Sequence, residues 1–395
     1  MKTFDQFIPT EELAAYRTDC LRRQLAWAKE HSLFYRRHLA GIDPATARLE
    51  DLPFTTASDV AEYGAEMVCL PAGDVARIVT LRTSGSSGAG KRLYFSRRDL
   101  DRTAEFFAVG MGYLCGPGDR VLVALPGRAP DGLGRLLQTG LETLGAEVLL
   151  WGGLDDMEAA AKACLDFRPH TIVSAAALLR RLALTVPTLR PRNVLLSTDY
   201  VAQSAVETIR RLWQCDVFTH YGLTETGYGC AVECPAHAGQ HIRHDELILE
   251  IVEPGGTRSL PPGRWGEIVL TTLRREAMPL IRYRTGDKGR LLDAPCPCGS
   301  RLPRLDRVPG RLELLESPVS VYALDECLLA CDDIRDYRAE RGADGTLHVA
   351  LDTDGLQGVH YARTALRRRF PDLPLRIERG DVALRPLEKR NVKKQ

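Results

Sequence analysis

The chain has 395 residues, more than one ordinary domain, so a large lobe plus a smaller unit is expected. With 44% hydrophobic, 27% charged and 7% aromatic residues it has the make-up of a globular protein, and a net charge of +1 argues against a general binder of nucleic acid. Inside that balance forty-five basic residues are Arg and only eight are Lys, so chemistry that needs a compact ammonium has few candidates.

The opening segment, MKTFDQFIPTEELAAY, has no apolar core behind its Lys, so it does not read as a secretory signal. No run approaches eighteen uninterrupted apolar residues, which excludes a membrane-spanning helix. Eleven Cys is an odd number in such a chain, so a disulfide framework is not expected and a cytoplasmic location is.

Residues 11–39 read as a helix, with Leu21, Leu25, Phe34 and Leu39 among its apolar positions. LEDLPFTTASDV leads into a helix capped by Ser or Thr. Strands then alternate with helices: VLVAL (121–125), EVLLWG (147–152), TIVSA (171–175) and NVLLST (193–198), with helices between them and one ending near Trp213. That rhythm predicts a parallel sheet with crossover helices. From about 246 to 292 the strands LILEIV, WGEIVLTTL and LIRYRTG are joined by Pro and Gly turns, which predicts an antiparallel subdomain. After Gly310-Arg311 the order is strand LELLE, helix, two strands, helix, strand. This split β-α-β order predicts a small α+β, ferredoxin-like domain over 311–395 behind an α/β lobe over 1–310.

Several local patterns carry chemistry. Thr83-Ser84-Gly85-Ser86-Ser87-Gly88-Ala89-Gly90-Lys91 combines glycines, short hydroxyls and an ammonium, the ingredients of an anion nest. It satisfies most of a P-loop pattern, but Arg92 stands where the hydroxyl residue belongs, and the following RLYFS reads as strand rather than helix. A surface linker needs no Lys between two strands. A phosphate-cradling loop in a hairpin is therefore the favoured reading. His220-Tyr221-Gly222-Leu223-Thr224-Glu225-Thr226-Gly227 follows the short strand CDVFTH. There a hydroxyl beside a carboxylate can hold a phosphoryl oxygen and Mg²⁺, or be no more than a cap and turn. Arg282-Tyr283-Arg284-Thr285-Gly286-Asp287 is a turn by itself, or a site where an Asp takes two ribose hydroxyls. Cys230, Cys234, His237, His241, Cys296 and Cys298 form a Cys/His group. In it Cys296-Pro297-Cys298-Gly299 is similar to half of a zinc knuckle, and the other reading is a set of reduced, unligated thiols.

The ordered set TSGSSGAGK, YGLTETG, YRTGD and GR resembles the adenylate-forming superfamily of acyl-CoA synthetases, adenylation domains and luciferases. HSLFYRRHL, GEIVLTTLRREAMPLIRYRTGD and the CPCG at 296–299 resemble more closely the phenylacetate-CoA ligase family and the related ligases that adenylylate a deazaflavin coenzyme. The resemblance implies that Thr83, Ser84, Gly85, Ser86, Ser87, Gly88 and Lys91 hold the ATP β- and γ-phosphates. It implies that Ser197, Thr198 and Asp199 line the adenine, with Tyr221 near the adenine and acyl group. Thr224 is implied at the α-phosphate, Glu225 at Mg²⁺, and Asp287 at the ribose with Arg311 assisting. Lys389 is the best match to a terminal catalytic lysine, ahead of Lys393 and Lys394. A structural Zn²⁺ on Cys234, His241, Cys296 and Cys298 follows from the same resemblance.

The implied activity is ATP-dependent activation of a small carboxylic acid, aromatic by family weighting, to an acyl-adenylate, followed by transfer to coenzyme A. A hinge near Glu313 and a homodimer are implied with it. Three departures stand out: Gly90 where relatives carry Pro, LLESPVSVYA in place of a Gly-containing loop after the hinge, and a tail without Gly before its lysines. They keep two alternatives open, an adenylyltransferase that makes no thioester and a nucleotide-binding regulatory protein without turnover.

Overall fold

The structure, a computed structural model, describes residues 10–81, 90–380, 382 and 392–394. Two compact units emerge, each made of two stretches of chain: residues 1–113 with 220–309, and residues 114–219 with 310–395. Among the described residues no helix is long and apolar enough to cross a membrane.

The first unit opens with α1 (Leu13–His31) and α2 (Leu33–His38). The single helix expected over 11–39 is split at Ser32, whose extended backbone breaks the spiral and whose hydroxyl accepts from the Tyr35 amide at 3.2 Å. Helix α3 (Ala57–Tyr63) starts behind a Thr56–Asp59 capping box. Strands β1 (Arg77–Leu81) and β2 (Lys91–Phe95) pair antiparallel with Leu81 opposite Lys91, and α4 (Arg97–Met111) follows a second capping box, Ser96 with Asp99. Each box contributes about 1 kcal/mol of helix stability.

The first stretch of the second unit runs β3 (Arg120–Val123), α5 (Leu133–Thr143), β4 (Glu147–Leu150), α6 (Met157–Phe167), β5 (Thr171–Ser174), α7 (Ala176–Thr185), β6 (Asn193–Leu196), α8 (Gln203–Trp213) and β7 (Asp216–Tyr221). Its strands form a parallel sheet in the order β4-β3-β5-β6-β7, as the strand–helix rhythm predicts. Fully buried Trp213, Leu179, Leu182 and Ile209 pack between this sheet and its helices. The unit boundary falls inside β7: Asp216 to Thr219 pair with β6, while His220 and Tyr221 pair antiparallel with the next strand.

Back in the first unit come β8 (Ala231–Glu233), β9 (Gln240–Ile242), β10 (Leu247–Val252), β11 (Gly266–Thr272), β12 (Tyr283–Gly289), β13 (Leu291–Leu292) and β14 (Arg304–Leu305). Strands β10, β11 and β12 pair antiparallel, as expected for this region. The strand expected at 280–286 starts later, at Tyr283, because Arg282 takes a left-handed φ of 45°. Its buried guanidinium holds Glu250 at 2.9 and 3.1 Å, which fixes that turn.

The closing stretch of the second unit contains β15 (Gly310–Arg311), α9 (Leu312–Leu315), α10 (Val321–Leu328), β16 (Asp336–Arg341), β17 (Leu347–Asp352), α11 (Leu356–Arg369), β18 (Leu375–Arg379) and β19 (Lys393–Lys394). LELLE is a helical turn, not the expected strand; Leu and Glu are good helix formers and the segment has no β-branched residue. The fourth strand of the sheet β18-β17-β16-β19 is supplied instead by the tail at Lys393–Lys394.

Candidate active site

The site in the first unit is built from three short segments. The hairpin of β1 and β2 delivers Lys91 as the first residue of β2. Gly90 is required just before it, because a Cβ there would lie 2.6 Å from the Leu81 carbonyl oxygen. The end of β7 delivers Tyr221 and then a 3₁₀ turn, Thr224–Thr226, that carries Glu225. Strand β12 delivers Tyr283, Thr285 and Asp287, buried alternately with half-buried neighbours, so all three share one face.

Lys91 Nζ lies 2.5 Å from Glu225 Oε1 and 3.1 Å from the Tyr283 hydroxyl, which itself donates to Glu225 Oε1 at 3.0 Å. Glu225 is 7% exposed and Lys91 12%, so this is a buried charged pair with a phenol closing the triangle. Burial pushes the Glu225 carboxyl upward, yet the Lys91 ammonium and the hydrogen bonds outweigh it and hold the group below its ordinary value. Further along β12, Asp287 Oδ2 accepts from the Tyr221 hydroxyl at 2.8 Å. Burial, reinforced by the Asp287 carboxylate, keeps the Tyr221 phenol protonated and donating. The two clusters thus lie along β12, on either side of an irregularity at which Gly286 takes a φ of 75°.

Among the described predicted residues of this unit, Lys91 meets Glu225 and Tyr221 meets Asp287, with half-buried Thr224 on the turn beside Glu225. Tyr283 was not singled out by sequence, although the period-two alternation of YRTGD places it on the Asp287 face. Ser197, Thr198 and Asp199 lie in the second unit at the carboxyl end of β6. The backbone leaves the sheet there: Ser197 N donates to the Ser174 carbonyl at 3.0 Å and Thr198 has a φ of 72°. Arg311 also lies in the second unit, its amide donating to the Tyr322 hydroxyl at 3.1 Å. Thr83, Ser84, Gly85, Ser86, Ser87, Gly88 and Lys389 lie outside the described residues.

Gly227 ends the 3₁₀ turn at a φ of 71°, and a Cβ there would stand 2.9 Å from both Thr103 Oγ1 and Arg275 Nη2. Gly227→Ala should therefore destabilise the fold by about 1–2 kcal/mol from the left-handed backbone alone. It should also disturb the turn that carries Thr224 and Glu225. A melting temperature equal to that of the unmutated protein would contradict this.

Of the six Cys/His candidates, Cys234, His241, Cys296 and Cys298 converge, with their ligand atoms all within 4.8 Å of one another. Cys234 follows β8 and His241 lies in β9, while the turn at 296–300 is closed by Gly299 at a φ of 100°. Cys230 belongs instead to the apolar cluster around Tyr221, and His237 pairs with Glu233 at 3.7 Å. The Cys234 and Cys296 sulfurs are 3.8 Å apart, and Cys298 Sγ is 3.5 Å from His241 Nε2. Tetrahedral zinc with Zn–S of about 2.3 Å and Zn–N of about 2.05 Å has edges of about 3.8 Å for S···S and 3.5 Å for S···N, so the donor set fits that ion.

Comparison with known proteins agrees with this geometry. Residues 40–273 match the family model described as AMP-binding enzyme. A phenylacetate-coenzyme A ligase of Thermus thermophilus is 34% identical over 373 residues, covering 87% of this chain and 81% of that protein. The phenylacetate-coenzyme A ligase of Escherichia coli is 32% identical over 320 residues, covering 76% and 71%. Among solved structures, 2-hydroxyisobutyryl-CoA ligase in the postadenylation state superposes with a TM-score of 0.83 at 19% identity, covering 98% of this chain and 90% of that one. That likeness establishes the shared fold.

Proposed function

We infer that this chain, which belongs to the AMP-binding enzyme family on its phenylacetate-CoA ligase-like branch, activates a carboxylic acid with ATP and passes the acyl group to coenzyme A. It is an AMP-forming acid–CoA ligase. In the first half-reaction a carboxylate oxygen bonds to the α-phosphorus as the bond to the β-phosphate oxygen breaks, and pyrophosphate leaves. In the second, the coenzyme thiol attacks the acyl carbonyl, loses its proton and releases AMP. Such chemistry depends on positioning and charge neutralisation rather than on a protein nucleophile.

The observation that carries the division of roles is the buried Lys91–Glu225–Tyr283 triangle. A carboxylate held ionised out of water suits a hard cation, and Glu225 is the residue that would hold Mg²⁺, which supplies charge neutralisation at the phosphates. Lys91 provides the compensating positive charge and, at the stem of the hairpin, is placed to follow the phosphates with Thr83 to Gly88. Thr224 takes the α-phosphate, and Asp287, already accepting a hydrogen bond from Tyr221, takes the ribose hydroxyls. Nucleotide-binding roles are assigned also to Ser197, Thr198, Asp199 and Arg311, and a hinge role to Glu313. The parallel rings of Phe95 and Tyr228, 6.0 Å apart and near the turn, favour an aromatic acid. The odd count of eleven cysteines favours the reducing cytoplasm.

ATP–pyrophosphate exchange over a panel of acids, followed by CoA consumption with the best of them, tests this reading. Exchange without CoA use would make the protein an adenylyltransferase, and AMP binding without exchange a regulator. A structural Zn²⁺ on Cys234, His241, Cys296 and Cys298 forms part of the same proposal, and four protein ligands leave no open position for catalysis. Metal analysis should find about one zinc per chain, and chelation should lower the melting temperature. Less than about half a zinc per chain would refute it.

A further inference from the structure

Within the second unit the closing stretch, residues 310–395, is seated on α7 and α8 of the first stretch. Buried Arg180 of α7 donates to the Cys331 and Ile334 carbonyls at 2.7 and 2.9 Å, and Arg181 pairs with Asp352 at 2.9 Å. Near the far end of α8, Arg211 pairs with both oxygens of Asp332 at 2.7 and 2.6 Å. At the start of α8 the contact is of another kind. The helix begins behind Ala202, whose methyl group cannot cap it, and Glu326 of α10 supplies the cap instead. Its Oε1 accepts from the Gln203 amide at 2.8 Å and its Oε2 from the Ser204 amide at 3.0 Å. A carboxylate there also meets the positive end of the helix dipole.

The same carboxylate reaches the loop in front of the helix. Glu326 Oε1 also accepts from the Tyr200 hydroxyl at 2.8 Å. Tyr322 stands one turn earlier on the same face of α10, and its ring centroid lies 4.4 Å from that of Tyr200. The Tyr322 hydroxyl accepts from the Arg311 amide at 3.1 Å, and Gly310 packs so closely on the Tyr322 ring that a Cβ there would collide with it. Two side chains of α10 thus touch both the point where the closing stretch begins and the residue that ends the loop 197–200. That loop needs an anchor. Thr198 takes a left-handed φ of 72°, a conformation that a β-branched residue keeps only where its surroundings impose it.

We propose that Glu326 and Tyr322 are positioning residues for the nucleotide: acting through Tyr200, they hold the loop 197–200 in its binding shape, so that nucleotide affinity depends on α10 being seated on α8. This rests on the reading above that gives Ser197, Thr198 and Asp199 to the nucleotide. The physical basis is the shared carboxylate. Its three donors, the Tyr200 hydroxyl and the Gln203 and Ser204 amides, belong to one short segment, while the acceptor belongs to the closing stretch. Lifting α10 off α8 removes the cap and the tyrosine anchor together. The loop is then free to relax from the Thr198 conformation, and a bound nucleotide has to supply the lost ordering. By linkage, a bound nucleotide in turn favours the seated arrangement, and movement of the closing stretch about Glu313 favours release of AMP.

The test measures binding of ATP and AMP by titration calorimetry, with exchange kinetics beside it, in the unmutated protein, Glu326→Ala, Glu326→Gln, Tyr200→Phe and Arg211→Ala. Glu326→Ala should weaken nucleotide binding about tenfold and raise the KM for ATP to match, with the KM for the acid and kcat at saturating ATP within about twofold. Glu326→Gln, whose amide oxygen still accepts, should regain part of the affinity. Tyr200→Phe removes the hydroxyl alone and should show part of the loss even if Glu326→Ala fails to fold. Arg211→Ala loosens the same seat without touching the loop and should keep nucleotide affinity within about twofold. Equal losses in Glu326→Ala and Arg211→Ala, or unchanged affinity in both Glu326→Ala and Tyr200→Phe, overturn the proposal and leave the ligase reading standing. A selective loss of affinity in a protein that exchanges with no acid removes the ligase reading while the positioning role stands. No binding of either nucleotide by the unmutated protein removes both.

Discussion

Lys91→Ala should lower ATP–pyrophosphate exchange by about 10²–10³-fold, the usual cost of removing a positioned charge from the locus of phosphoryl transfer. The same substitution should destabilise the fold, because it leaves Glu225 ionised and buried with only the Tyr283 hydroxyl. Breaking a buried pair by removing one partner costs about 3–5 kcal/mol. The pH dependence follows from the direction of the Glu225 shift. In the unmutated protein Lys91 and the hydrogen bonds hold this carboxyl below its ordinary value against the effect of burial, so the pair contributes stability at neutral pH. That contribution fades as pH falls below the ordinary carboxylate range and through the folded-state value. Without Lys91, burial dominates and pushes the carboxyl up, so the deficit of the variant should be largest at neutral pH and shrink on acidification. Lys91→Ala combined with Glu225→Gln should regain much of the melting temperature and none of the exchange. If the single variant exchanges at the original rate, Lys91 is a structural counter-ion to Glu225 and nothing more.

How much of this was legible in the sequence depends on the range of the interactions involved. The parallel sheet and its helices were legible because each element carries its own period; the strand LILEIV has the observed bounds, 247–252. Segments whose local signal is balanced were not. LELLE alternates like a strand yet forms a helical turn, and Ser32 splits a helix that apolar spacing alone would continue. The start of β12 was obscured by Arg282, whose left-handed backbone is set by a pairing with Glu250 that no short window contains. Nor does order along the chain reveal that residues 310–395 form one compact unit with 114–219.

The site shows the same division. Lys91, Glu225, Tyr221 and Asp287 stood out because glycines, hydroxyls and charges cluster around them in short motifs. Tyr283 was hidden inside one of those motifs, since a Tyr at a strand start looks like core until its hydroxyl is found 3.0 Å from Glu225. The four candidate metal ligands fall between these cases. Spacing nominated six residues, and the pairing of Val232 with His241 and of His241 with Arg304 shows why four of them converge.

Lys389→Ala should cut exchange about 10²-fold or more, with ATP binding little changed, because the proposed reading assigns Lys389 as a second ammonium for the reacting carboxylate and the α-phosphate. Scarcity makes the assignment testable: three of the eight lysines lie in the last seven residues, and only Lys91 sits in the phosphate-loop motif. Register separates the three. The Lys393 and Lys394 backbones form β19 and pair in parallel with Glu340 and Arg341 of β16. Their backbone is committed to a ladder that a catalytic excursion would have to break. Lys393→Ala and Lys394→Ala should therefore each stay within about threefold of the original exchange rate. A large loss in Lys393→Ala with Lys389→Ala unaffected would move the catalytic role four residues along the tail and would place β19 itself at the reacting carboxylate.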